Sequence, residues 1–194
     1  MRPSKRGELI EKALDVFEDG GFHATGVDGL AAAVGMSKTS IYNHFASKDA
    51  LILAALDHRS AAFAAALDAR IEAAPVEPVD RLLALFDALG DWFESPTFRG
   101  CAFIRAAAEH PRDGDPIRAR AKAEKQATGA RVGALVDALD LPDGAASATL
   151  RDQILILTEG AVIRAQMGLD ARPDRKARIA AETLIAAAIK SSSE

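Results

Sequence analysis

The sequence predicts an all-α protein: an N-terminal three-helix helix-turn-helix domain, then a larger helical body, with about nine helices in total. Three observations lead there. Hydrophobic residues make up 49% of the chain but aromatics only 5%, and alanine supplies much of the apolar count, which favours close helix contacts over a bulky sheet core. Apolar residues recur at helical spacing, with neither strand alternation nor an internal repeat. Glycine, proline and aspartate punctuate the periodic segments.

Leu9, Ile10, Ala13, Leu14 and Phe17 give an amphipathic first helix from about Ser4 to Asp19, ended by Gly20-Gly21. Thr25 is a candidate N-cap for a short second helix to Val34, with Val27, Leu30, Ala31 and Val34 facing inward. Gly35 breaks it. Ser37 caps a third helix to about His44, with Ile41 and Phe45 inward, and Ser47 caps a fourth that runs to Ala74 before Pro75. The body continues with helices from Pro78 to Glu94, Ala102 to His110, Pro116 to Leu139, Ala146 to Met167 and Pro173 to Ile189. The breaks are Ser95-Pro96, Pro111 to Gly114, Leu141-Pro142-Asp143-Gly144 and Gly168, and the tail Ser191 to Glu194 is expected to fray. Domain boundaries are expected at 1–46 and 47–194.

The net charge is -4, against the basic excess usual in nucleic-acid-binding domains, so local charge has to decide. A single cysteine, Cys101, excludes an intramolecular disulfide. It stands beside Arg99 at a helix start, which would favour thiolate, but a buried small hydrophobe is the simpler reading. No apolar stretch follows the basic N-terminus, and the longest apolar run, Ala61 to Leu67, is short for a membrane span. A cytoplasmic protein without membrane partners is expected. No two of His23, His44, His58 and His110 share a metal-binding helical spacing, and there is no paired-cysteine motif or phosphate loop, so no enzyme, metal or cofactor is expected.

Residues 24 to 48 carry the functional signal. Two short helices joined by a tight turn at Gly35 are the layout of a helix-turn-helix, whose second helix enters the major groove. Ala32, three residues before Gly35, would let the two helices pack closely. On the third helix Lys38, Thr39, Ser40 and Asn43 can bond base edges or phosphates, while Tyr42 and His44 can reach phosphates from the flanks. No carboxylate falls between Asp28 and Asp49, whereas Lys38 and Lys48 do. Arg2, Lys5 and Arg6 could extend the footprint as an arm. The competing reading is a helical small-molecule-binding or interaction module without DNA binding.

The same stretch resembles the tetracycline-repressor-like (TetR) family of regulators. The resemblance rests on Phe17, Gly20-Gly21-Phe22, Thr25, Leu30-Ala31, Val34 to Ser37, and Ile41 to Phe45 followed by Ser47-Lys48. Thr39 stands where relatives often have glycine or alanine, and Met36 where valine is usual. The resemblance implies that Thr25, Tyr42, His44 and Lys48 hold phosphates, with Lys38, Thr39, Ser40 and Asn43 at or near base edges. It also implies a homodimer through the two C-terminal helices, bound to a double-stranded operator and released by a small, largely hydrophobic effector. Apolar stripes compatible with such an interface are Ile154, Leu157, Ala161 and Ala165, and Ala180, Leu184, Ala187 and Ala188, with Gly160-Ala161 allowing close approach. Candidate effector-pocket residues are Phe86, Trp92, Phe93, Phe98, Phe103, Arg105, His110, Arg164 and Gln166, with Glu109 near them. The fourth helix, joining reading head to body, is the expected lever.

Overall fold

The structure, a computed structural model, describes residues 4–141 and 144–191, the last by its backbone only. Arg2 of the expected arm, Pro142 and Asp143 of the expected turn, and the tail residues after 191 lie outside the described residues. The described residues form helices and no strand: α1 (Lys5–Gly20), α2 (Val27–Val34), α3 (Lys38–His44), α4 (Lys48–Ala73), α5 (Pro78–Glu94), α6 (Ala102–Glu109), α7 (Pro116–Asp137), α8 (Gly144–Gln166) and α9 (Pro173–Ser191).

Local chemistry sets the ends. Ser4 accepts the Gly7 N–H, Ser37 the Ser40 N–H and Ser47 the Ala50 N–H, each at 3.1 Å, so three helices start on a serine cap. Pro78 opens α5, and Asp115 accepts the Ile117 N–H at 2.8 Å where α7 begins at Pro116. At the end of α2, Gly35 takes the left-handed conformation (φ 70°), which sends the Met36 N–H to the Ala31 carbonyl at 3.0 Å. One expected cap is corrected: α2 is capped by Gly26, and the Thr25 hydroxyl instead donates to the Gly21 carbonyl at 2.6 Å. Thr25 lies one residue too early to reach the α2 amides, and its side chain turns back to the end of α1.

The described residues condense into two units that are not contiguous in sequence: 4–63 with 101–124, and 64–100 with 125–141 and 144–191. In the first, Leu9, Phe17, Phe22, Leu30, Leu51, Ile52, Leu56 and Ile117 are almost wholly buried. Each such side chain contributes about 1.5–3 kcal/mol of apolar burial. A polar cluster sits among them. The Ser60 hydroxyl donates to buried Glu124 at 2.5 Å, and Arg120 reaches both Asp57 and Glu124 while lying over the Phe103 ring. In the second unit α8 and α9 pack on each other and on α5, over Leu82, Phe86, Leu150, Ile154, Ala181 and Ile185.

α4 is long and apolar enough, by length and composition, to cross a membrane (mean hydropathy 1.4), which the length of its unbroken apolar run did not reveal. Leu51, Ile52, Ala55, Leu56 and Leu67 along it are buried in the fold, and Arg59 pairs with Glu18.

Candidate DNA-reading interface

The site is built on the α1–α2–α3 corner. Ile41 and Phe45 point inward beneath α3, as their spacing predicts, and Arg6 lies 4.6 Å above the Phe45 ring. Phe17 and Phe22 pack at 5.5 Å and fix the turn after α1. Against this floor α3 is seven residues long, with its start held by Ser37 and its end by the Phe45 N–H on the Ile41 carbonyl. A helix so short is marginal alone. Caps and packing therefore define its orientation.

Its outward face is polar. Lys38, Thr39, Tyr42 and Asn43 are exposed, and Ser40, His44 and Lys48 are half-buried. The i,i+4 pairs Lys38–Tyr42 and Thr39–Asn43 place four of these side chains on one stripe. Tyr42 is 48% exposed, which is unusual for a tyrosine unless its ring has an external use.

The electrostatics differ from the sequence expectation at one point. Asp28, at the edge of the supposed carboxylate-free window, sits on the first turn of α2 and meets Lys38 Nζ at 2.5 Å. Folding brings the window's boundary onto its only lysine within α3. The Lys48 ammonium donates to the His23 carbonyl at 3.2 Å, so its position is set by the α1–α2 turn. Thr25 is buried, and its hydroxyl is taken by Gly21. Ala32 is exposed; Ala31 and Val34 face the interior of the corner.

Sequence reasoning missed the contribution of α6. The Glu109 carboxylate accepts the His23 N–H at 2.6 Å and lies against Gly21. Arg105 donates to the Glu18 carbonyl at the end of α1, and the His110 ring is 6.0 Å from that of His23. These partners are 86 to 88 residues apart, beyond any local pattern. Burial pushes the Glu18 carboxyl above its ordinary value, opposed by the Arg59 guanidinium beside it.

The nine effector-pocket candidates divide between the units. Phe103, Arg105 and His110 belong to the unit that contains α1–α3, where Arg105 holds α1 and His110 pairs with Asp115 at 3.2 Å. In the other unit Trp92, Phe93 and Phe98 form a cluster with ring centroids 5.0–5.8 Å apart. Phe86 is core, Arg164 is exposed beside Asp170, and Gln166 lies against Gly100. Cys101 is buried.

The profile of bacterial regulatory proteins of the tetR family matches residues 9–55, and that of the tetracyclin repressor-like C-terminal domain matches residues 78–181, more than half of the chain. The chain belongs to the TetR family. That family is one of bacterial regulatory proteins. This TetR-family chain is 47% identical over 55 residues to the HTH-type transcriptional activator FasR of Mycolicibacterium smegmatis, covering 28% of the chain and 25% of that protein. To the HTH-type transcriptional repressor DhaR of a Mycobacterium species it is 31% identical over 117 residues, covering 60% of the chain and 58% of the relative. The matched stretches thus span from a quarter to somewhat over half the length of these two curated relatives. Among solved structures, a TetR-family transcriptional regulator from Streptomyces coelicolor superposes with a TM-score of 0.82 at 25% identity, covering 97% of this chain and 96% of that one.

Proposed function

We propose that this regulator is a homodimeric repressor that binds a specific double-stranded operator and leaves it when a small, largely hydrophobic effector binds. The observation that carries the reading is the outward stripe Lys38, Thr39, Tyr42 and Asn43 on a helix anchored at both ends. A rigid short helix with an exposed polar face suits insertion into a major groove. In this reading Lys38, Thr39, Ser40 and Asn43 meet base edges, and Thr25, Tyr42, His44 and Lys48 hold phosphates. The Thr25 hydroxyl is already committed to Gly21, so its phosphate contact comes from the backbone N–H. The exposed Lys38–Asp28 pair is worth little in water and gives way to DNA. The protein acts in the cytoplasm, where its operator is, with the reading head at 1–46 and the effector and dimer functions in 47–194.

The dimer forms through α8 and α9, and on α8 the outward row differs from part of the stripe the sequence suggested. Ile154 and Ala161 are buried within the subunit, whereas Ile156 and Ile163 on α8, Met167 just after it and Ile179 on α9 are exposed. Gly160 lies on the same outward row with open space above it, which supports close helix approach. The aromatic wall of the effector site is the Trp92–Phe93–Phe98 cluster. The grip of Arg105 and Glu109 on the end of α1 and the turn after it supports α6, with α4, as the route by which an effector moves the head.

A gel-shift titration on DNA upstream of the protein's own gene tests the reading. Each base-edge or phosphate contact is worth about 1–3 kcal/mol, so Tyr42→Ala with Asn43→Ala should weaken binding at least about tenfold. Unchanged affinity would remove α3 from the interface.

A further inference from the structure

The second unit holds a cavity that operator reading leaves unused. It lies where the C-terminal turns of α4 and α7 meet the start of α5 and has a volume of about 340 Å³. Ile71, Val76, Pro78 and Leu135 give it apolar walls. Two arginines line it as well. Arg131 is neutralised by a two-point contact with Asp68 at 2.9 and 3.0 Å.

Arg81 differs. Its Nε is buried and has no hydrogen-bond partner. Three other buried polar atoms share that condition, but their side chains have charged neighbours: Glu18 has Arg59 at 3.3 Å, Arg178 has Asp87 at 3.4 Å, and His110 has Asp115 at 3.2 Å on its other nitrogen. Among the described residues no carboxylate lies within ion-pair distance of Arg81. The residue is otherwise partly exposed at the cavity, so the remaining nitrogens of its charged guanidinium are the ones an anion there would meet.

We propose that this cavity is a binding site for a small monocarboxylate with an apolar body, its carboxylate on Arg81 and its body against Ile71, Val76 and Leu135. The charge count selects the class. With Arg131 cancelled by Asp68, one positive charge remains, and a single carboxylate balances it. The volume is at the small end of ligand sites, which limits the apolar part to a short chain or one ring.

Calorimetric titration of the full chain without DNA tests the site, with hexanoate as probe and hexanamide, its uncharged counterpart, as control. Hexanoate should bind saturably with one site per chain, and hexanamide about tenfold more weakly or worse, because the amide cannot complete Arg81. Arg81→Met should weaken hexanoate by a similar factor. Ala134→Phe, a substitution at an exposed position on the cavity rim, should block it while leaving the interior intact. Absence of saturable heat, equal binding of acid and amide, or full binding by Ala134→Phe would each overturn the proposal, even if Arg81→Met fails to fold. DNA is absent from the assay, so any of these outcomes leaves the operator reading standing.

Discussion

The carboxylate of Glu109 stands 86 residues from the amide it holds at His23. Glu109→Ala leaves that N–H to water in a partly exposed place, so denaturant titration should show a loss of about 1 kcal/mol. Asp174 offers a pH test. Burial raises its pKa, but the Arg172 hydrogen bonds and charge outweigh burial and hold it below the ordinary carboxylate value. A lowered folded pKa stabilises at pH values above the unfolded value, and the contribution fades as pH falls through the folded one. Asp174→Asn should therefore be less stable than wild type at pH 7, and the two unfolding curves should converge once the pH drops well below 3.8. None of these pairings was legible in sequence. Asp28 with Lys38 was the nearest to being so, and it was missed because a window counted along the chain ignores how α2 folds back on α3.

Helix boundaries were legible because their causes are local. Serine caps, Pro78, Pro116 and Pro173, and Gly35 each act within one turn, and the observed ends lie close to the expected ones. Helix faces were harder. α8 carries Ile154 and Ala161 on one side and Ile156 and Ile163 on another, so apolar spacing alone offers two stripes and cannot choose between them. Only the packing of α9 and α5 on α8 selects the inward one. The outward face of α3 was readable, since Ile41 and Phe45 left no choice of inward face. At this scale the cap of α3 is the sharpest test. Ser37→Ala removes the acceptor of the Ser40 N–H and should cost about 1 kcal/mol of stability. Gly35→Ala meets no atom within 4 Å, yet φ of 70° strains it by about 1–2 kcal/mol, while Gly35→Asn should recover part of that loss. Thermal melts of the three variants would read both effects.

At the scale of the molecule, the proposed operator binding makes net charge and oligomeric state the quantities to test. The total is -4, and the proposed face offers few cations, so one head alone should bind weakly and two together tightly. Ile156→Glu with Ile163→Glu places two carboxylates on the exposed α8 row. Sedimentation velocity at micromolar concentration should then give monomer mass, with operator binding lost and helical content kept. A wild-type chain that sediments as a monomer would remove the paired-head account. The unit containing α1–α3 also takes in residues 101–124, from a separate stretch of chain. Both polar groups of the His23 peptide backbone are gripped from outside the first 46 residues, the N–H by Glu109 and the carbonyl by Lys48. This has a consequence for anyone building sensors by recombination. A chimera joined after residue 46 would transplant α3, the proposed reading helix, but leave its fastenings with the donor, and it would inherit the host's counterparts at 48, 105 and 109. Modular exchange of specificity should succeed between hosts that match those three positions and fail, as a loose head on a sound body, between hosts that do not.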